Sequence, residues 1–319
     1  MAQQKQDITE HFIEKWQDNF DQRFVIVGGS VAAHTVAYKL REVFKDDIGI
    51  AILSQEKYPF YDRRKLFSFW EGKVKEKELF VLGQEDYQKR NIFFLPEHTV
   101  VSVNSKRKSV SFRYQEKRDT INYDYLVICS GTKTVLPNDI VGINKNGVFV
   151  FDSLADFKQL KNTITQDTVA LLGVNHFTSL VIDILIKKRV EVKLITNQKV
   201  DFSSSMVEVI PTKVVEIIGE SGVQAIKLDN GKIIGVCWIG VMGQKQPATD
   251  FLEDTGMALV NNAVVVDKDM ATSEPYIFAC GSVCCQPNEE VKFKDWRTTT
   301  QQAERLVETI RFLRRTNVN

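Results

Sequence analysis

Two stretches of this chain set a glycine between an apolar strand and a helix, the arrangement that cradles a pyrophosphate. One reads Phe24-Val25-Ile26-Val27-Gly28-Gly29-Ser30-Val31-Ala32-Ala33, the other Thr168-Val169-Ala170-Leu171-Leu172-Gly173-Val174-Asn175-His176-Phe177-Thr178. The first glycine of such a turn lets the chain reverse tightly. The second lets backbone N–H groups approach phosphate, and the third lets helix and strand pack closely. The partial positive charge of the helix N-terminus then holds the anion. Gly28, Ser30 and Ala33 fill these places in the first turn. Alanine is an accepted third residue, and serine is small and brings a hydroxyl. In the second turn Gly173 is followed by Asn175 and Thr178. An amide side chain then stands where pyrophosphate should lie, and a branched one at the helix–strand contact. Two such units in one chain suggest a flavin on the first and a nicotinamide on the second.

The strand that follows should end in an acid for the ribose hydroxyls. The first unit ends Leu53-Ser54-Gln55-Glu56, so Gln55 is the acceptor in that place, with Glu56 adjacent. The second ends Ile195-Thr196-Asn197, with neither an acid for NAD nor an arginine for a 2′-phosphate. The choice between NADH and NADPH stays open. No catalytic side chain stands out. The four histidines, His11, His34, His98 and His176, do not cluster, so no metal site is expected. His34 and His176 read as local structural or phosphate-neighbouring residues. Five cysteines (Cys129, Cys237, Cys280, Cys284, Cys285) contain no Cys-x-x-Cys, and adjacent Cys284 and Cys285 are poorly placed for an ordinary disulfide.

The elements around these residues read as α/β. An amphipathic helix over residues 7–20, capped by Asp7, lines up Ile8, Phe12, Ile13, Trp16 and Phe20. It is expected to pack on the main domain, with docking of a partner the alternative. Strand 24–27, helix 31–43 and strand 48–53 make a βαβ unit with a parallel sheet. Short β-rich segments at 99–103, 109–114 and 120–129 suggest antiparallel strands that lead into a buried strand, 125–128. A helix over 151–163 with Leu154, Phe157 and Leu160 inward precedes the second βαβ unit, whose second strand is 192–195. More β-rich segments follow to residue 241, with Asp229-Asn230-Gly231 as a hairpin turn, then strands at 263–266 and 276–279 and a helix from about Thr298 to Leu313.

Composition bounds the rest. The chain has 319 residues, 43% hydrophobic and 26% charged, enough for two or three cores. A net charge of +1 gives no field to recruit nucleic acid or an anionic membrane. No apolar run approaches the roughly 20 residues needed to span a bilayer, and the polar N-terminus lacks a signal-peptide core. A cytoplasmic protein is expected.

With these motifs in order, the chain resembles the two-dinucleotide flavoproteins of the pyridine nucleotide–disulfide oxidoreductase superfamily, most closely the rubredoxin and ferredoxin reductases and the FAD-dependent NAD(P)H oxidases. The resemblance spans about residues 24–313. It is carried also by Tyr58-Pro59-Phe60-Tyr61-Asp62-Arg63-Arg64-Lys65-Leu66, by Tyr123 to Thr132, by Ile239 to Leu252 and by Thr272 to Val283. The fold it implies is two Rossmann-like (glutathione-reductase-type) domains with β-meander insertions. Residues 1–23 would form the N-terminal helix, 24–141 and 244–319 a discontinuous FAD-binding domain, and 142–243 an inserted NAD(P)H-binding-like domain. The resemblance implies that Gly28, Ser30 and Ala33 hold the FAD pyrophosphate, that Arg63 and Lys65 lie beside the flavin, and that Gly131 passes close to it. Gly281 and Ser282 would meet the ribityl chain, residues 296–302 would open the last helix near the isoalloxazine, and Gly173 and Asn175 would face the nicotinamide nucleotide.

Departures from the family pattern gather at cofactor contacts. Ser282 replaces the ribityl-binding aspartate, Gln55 the ribose-binding acid, and Leu180 a frequent glutamate, and the second glycine motif is broken. No redox cysteine occurs in Arg63 to Trp70, so disulfide reduction is disfavoured. The leading expectation is an FAD-dependent enzyme that moves electrons from NAD(P)H to a small redox protein or organic acceptor, alone or within a larger redox complex. The alternatives are a flavoprotein subunit with a decayed nicotinamide site, fed by a protein partner, and a non-catalytic scaffold.

Overall fold

The computed structural model describes residues 9–16, 19–163 and 167–316. They divide into two compact units, one of Met1–Tyr61, Phe80–Thr132 and Gln246–Asn319, the other of Asp62–Leu79 and Lys133–Lys245. The divisions fall at 132/133 and 245/246 rather than at the expected 141/142 and 243/244, and residues 62–79 join the second unit.

Each unit repeats one plan. In the first, five parallel strands lie in the order Ile277–Ala279, Tyr125–Ile128, Arg23–Val27, Gly49–Ser54, Ile92–Pro96. The central strands are buried on both faces and read as continuous apolar runs, as a covered parallel sheet requires. The helices Val31–Phe44 and Trp296–Thr316 belong to this unit, and Val36, Leu40, Leu306 and Ile310 join its core. An antiparallel meander, Thr99–Asn104, Ser109–Tyr114 and Lys117–Asn122, is inserted before the strand Tyr125–Ile128.

The second unit has five parallel strands in the order Val207–Ile210, Val192–Ile195, Val169–Leu172, Ile239–Val241, Val148–Phe149. Its meander is Val214–Ile218, Ala225–Leu228 and Ile233–Gly235. Gly231, at φ +86°, sits in the hairpin turn read from Asp229-Asn230-Gly231. The helix Leu154–Thr163 buries Leu154, Phe157 and Leu160, the face its spacing predicts.

Near the N-terminus, residues 9–16 are helical. The expected cap Asp7 and the apolar Ile8 lie outside the described residues. Phe12 and Trp16 are buried and meet at 5.3 Å, and Phe93 of the sheet lies 5.1 Å from Phe12. The Trp16 indole N–H donates to the Asn122 carbonyl at 2.8 Å. Burying each ring contributes about 2–3 kcal/mol, so this helix is built into the first unit's core.

Candidate functional site

The first turn is forced by glycine twice. Gly28 sits at φ +127°, and a Cβ there would lie 2.2 Å from the Cys129 carbonyl oxygen. A Cβ on Gly29 would lie 2.4 Å from the Ser54 hydroxyl, a need the motif reading missed. The Gly28 N–H donates to the Leu53 carbonyl at 2.9 Å, which clamps the turn to the next strand. Ser30 is extended, φ −111° and ψ −169°, a conformation open to any residue, so serine costs nothing at the second glycine place. Ala33 is fully buried in the core. No side chain caps the helix that begins at Val31, and no acid lies in its first turn. Its positive end is therefore uncompensated and its leading N–H groups are open to an anion.

The other expected residues of this unit surround the turn. Cys129, which touches Gly28, leads to Ser130 and Gly131. The Gly131 carbonyl accepts from the Ala248 N–H at 3.0 Å, and the Ser130 hydroxyl donates to the Ala248 carbonyl at 2.7 Å. Gly281, at φ +89°, packs so near the turn helix that a Cβ would lie 3.3 Å from that of Ala32, and its N–H donates to the Gln302 side-chain oxygen at 2.9 Å. Ser282 is nearly buried, and its hydroxyl accepts from the Lys294 N–H at 2.9 Å. Gln55 is exposed. The neighbouring carboxylate, Glu56, accepts from the Tyr61 hydroxyl at 2.6 Å. The helix Trp296–Thr316 is capped at its start: the Asp295 carboxylate accepts from the Thr298 N–H at 2.7 Å.

A buried polar chain stands behind the turn, and the sequence reading carried only its first member. His34 stacks on Phe60 at 4.5 Å, and Phe60 stacks on Trp296 at 5.6 Å. The His34 ring meets the Ser30 carbonyl at 2.9 Å and the Tyr87 hydroxyl at 2.6 Å. Burial pulls the His34 imidazole down from its ordinary 6.5 to about 4, against the Ser30 hydrogen bond, which works the other way. Beside the turn, the Cys129 and Cys280 thiols lie 3.6 Å apart on neighbouring strands, unbonded and buried.

The second turn has the same frame with a different filling. Gly173, at φ +85°, donates its N–H to the Ile195 carbonyl at 2.9 Å, the counterpart of Gly28 on Leu53. Beyond it the loop bonds to itself. The Asn175 N–H donates to the Thr178 hydroxyl at 2.8 Å, the Phe177 N–H to the Asn175 side-chain oxygen at 2.9 Å, and the Thr178 N–H to the Asn175 carbonyl at 3.1 Å. The Asn175 amide in turn donates to the Gly243 carbonyl at 3.4 Å. Thr196, in the ribose-binding place, is buried and accepts from the Gln198 N–H at 3.1 Å.

Arg63 and Lys65 belong to this second unit. Arg63 donates to the Asp152 carbonyl oxygen, and Lys65 to the Glu78 carbonyl at 3.0 Å. The Asp152 carboxylate takes Thr134 through both N–H and hydroxyl, each at 2.7 Å, and the Lys245 ammonium at 2.9 Å. Burial would raise this carboxyl, but Lys245 and Thr134 outweigh it and hold it below the usual range.

Gly28, Gly29, the extended Ser30 and the uncapped helix therefore fit a dinucleotide pyrophosphate. The second turn as it stands is a poorer fit, because the N–H groups of Asn175, Phe177 and Thr178 are already bonded within the loop. Among the described residues no group of three or more metal-ligating side chains comes together, and no helix is long and apolar enough to cross a membrane.

Comparison with known proteins agrees with this frame. The model of the pyridine nucleotide-disulphide oxidoreductase family matches residues 22–198 and 181–303. An NADH oxidase of Methanocaldococcus jannaschii is 26% identical over 282 residues, which cover 81% of this chain and 62% of that protein. A probable ferredoxin reductase of Castellaniella defragrans is 27% identical over 298 residues, 84% of this chain and 69% of that one. The chain thus spans about three fifths to two thirds of these relatives. The crystal structure of a covalent putidaredoxin reductase–putidaredoxin complex superposes with a TM-score of 0.80 at 18% identity, covering 92% of this chain and 76% of that one. A NAD-dependent persulfide reductase from A. fulgidus gives 0.77 at 22%, over 90% and 59%. With two glycine turns on two parallel sheets and a family match that runs from residue 22 to residue 303, this chain belongs to the pyridine nucleotide-disulphide oxidoreductase family.

Proposed function

We propose that the chain is a cytoplasmic FAD-dependent oxidoreductase that passes electrons from NAD(P)H to a small electron-carrier protein or organic acceptor. The observation that carries this reading is the first turn: Gly28, which admits no side chain, and Gly29, which is pressed against Ser54, followed by an uncapped helix end. Gly28, Ser30 and the Val31 end of the helix would hold the pyrophosphate, with Gly131, Gly281 and Ser282 in the same unit. FAD bound there would supply two-electron acceptance and one- or two-electron release. The chain's own residues bind and orient. Backbone N–H groups meet the phosphates, buried Ala33 sets the helix against the sheet, and the Tyr61 hydroxyl fixes Glu56 after the second strand. The likeness to an NADH oxidase and to ferredoxin-type reductases supports the donor and acceptor classes. The five cysteines form no disulfide, which suits a reducing compartment.

The second turn favours another donor. The N–H groups of Asn175, Phe177 and Thr178 are held within the loop, so a nicotinamide dinucleotide that uses them must displace those bonds. A flavoprotein reduced by a protein partner needs no such displacement. An anaerobic titration of the FAD-loaded protein with NADH and then NADPH separates the two. Prompt bleaching of the flavin bands supports direct nicotinamide reduction, and persistence of the bands assigns reduction to a partner. A protein that takes up no FAD defeats both.

A further inference from the structure

We propose that His34 is a positioning residue for the cofactor turn, aiming the Val31 N–H at the phosphates by holding the Ser30 carbonyl inward through a chain anchored on Tyr87. The proposal rests on the reading that the first turn holds FAD.

The direction of every bond follows from chemistry. A carbonyl only accepts, so His34 Nδ1 carries the proton it shares with Ser30 O at 2.9 Å. The imidazole is neutral, so Nε2 carries none and accepts from the Tyr87 hydroxyl at 2.6 Å. The Tyr87 oxygen, having given its proton, accepts the Phe60 N–H at 3.1 Å. The chain therefore runs from Phe60 N–H to Tyr87 O–H to His34 to Ser30 C=O, with each member satisfied. Both side chains are buried, and the rings are fixed by stacking: His34 on Phe60 at 4.5 Å, Tyr87 on Phe94 at 4.5 Å.

What this does to the turn comes from the planarity of the peptide. The Ser30 carbonyl and the Val31 N–H share one trans peptide unit and point in opposite directions. The helical bond to that carbonyl, from the His34 N–H, is 3.2 Å long, and the side chain of the same residue supplies the shorter second bond. Holding the carbonyl toward the protein directs the Val31 N–H outward at the open helix end. The same chain ties the Phe60 backbone, in the segment the family resemblance sets near the flavin, to the phosphate turn.

The test is calorimetric titration of ADP and FAD into wild type, His34→Phe, Tyr87→Phe and the double variant, with the melting temperature of each unliganded protein. His34→Phe keeps a stacking ring and loses both bonds. Tyr87→Phe keeps the stack on Phe94 and removes only the hydroxyl, and it alone suffices if His34→Phe does not fold. Each single change should weaken ADP and FAD about tenfold, the worth of one hydrogen bond. The double variant should be no weaker than His34→Phe, because the two residues act in series. Nitrogen-15 NMR of wild type should show His34 as the Nδ1–H tautomer, and Tyr87→Phe should loosen that preference. Unchanged ADP affinity with a lowered melting temperature in both singles would reduce His34 to packing and overturn the proposal, as would additive losses in the double variant. Wild type that binds neither ADP nor FAD fails the cofactor reading itself.

Discussion

The two glycine turns share a frame and differ in what they do with their N–H groups. Both begin with a glycine at positive φ that donates to the end of the neighbouring strand at 2.9 Å. In both, a hydroxyl residue at the end of that strand or just past it, Ser54 or Thr196, accepts an N–H two residues on, from Glu56 at 3.2 Å and Gln198 at 3.1 Å. In the first turn the helix end is left open. In the second, the N–H groups of Asn175, Phe177 and Thr178 are bonded within the loop. A fold can thus keep its turn, strand order and meander while the ligand-facing atoms are turned inward, because the frame depends on backbone clamps and the binding on two side chains.

The comparison breaks most easily at the leading glycines. Gly28→Ala should cost about 3 kcal/mol or more and abolish FAD uptake, since its Cβ would lie 2.2 Å from backbone. Gly173→Ala meets the Met242 carbonyl at 3.2 Å and should cost about 1–2 kcal/mol. Urea unfolding of both variants measures the gap, and equal costs would mean that Gly28 is no more tightly constrained than Gly173.

The histidines of the two turns give the next largest contrast. His34 is buried with its imidazole lowered to about 4, so the unfolded chain binds a proton that the folded one refuses. Stability should therefore be full above pH 6.5 and fall as the pH drops from 6.5 toward 4, by about 3 kcal/mol at most. His34→Phe should flatten that limb in thermal melts. His176→Phe should leave it in place, because His176 is exposed and only modestly lowered by partial burial and Lys245.

A smaller effect tests the second turn directly. Asn175→Gly with Thr178→Gly frees the Asn175 and Phe177 N–H groups and should tighten NADH binding about tenfold, the return of one good phosphate contact. No change by calorimetry would show that the wild-type loop opens at little cost. Smallest is the thiol contrast. Burial pushes the Cys284 thiol up to about 12 and Cys280 well above its usual value through the Cys129 contact and burial. Native protein should therefore give a prompt reaction with a thiol reagent at half-buried Cys237 alone, and the first unit's four cysteines should react only on unfolding.

Much of this was readable from the residues. The strand runs, the Asp229-Asn230-Gly231 hairpin and the apolar face of the helix Leu154–Thr163 follow from local periodicity. The misfit of Asn175 and Thr178 followed from side-chain size, although their actual bonds, to the Phe177, Gly243 and Asn175 backbone, did not. Gly29 was missed because its need comes from Ser54 on another strand, and no pattern around position 29 encodes that. Tyr87 and Phe60 reach His34 across 53 and 26 positions of sequence, a convergence only the fold creates. The capping of the last helix by Asp295 was legible, since an aspartate stands just before it, but the family resemblance drew attention to the helix end instead.

The strand order carries a consequence for the growing chain. The first unit's edge strand, Ile277–Ala279, pairs with Tyr125–Ile128, and Leu306 and Ile310 complete the same core, so its sheet waits for residues made about 150 positions later. The second unit's sheet, by contrast, has all its strands once residue 241 has been synthesised. On the ribosome the inner unit can therefore close first, while strands 23–27, 49–54 and 125–128 stand exposed as an unfinished apolar sheet. Chaperone capture of nascent chains should peak over that interval, between the emergence of residue 128 and that of the helix Trp296–Thr316.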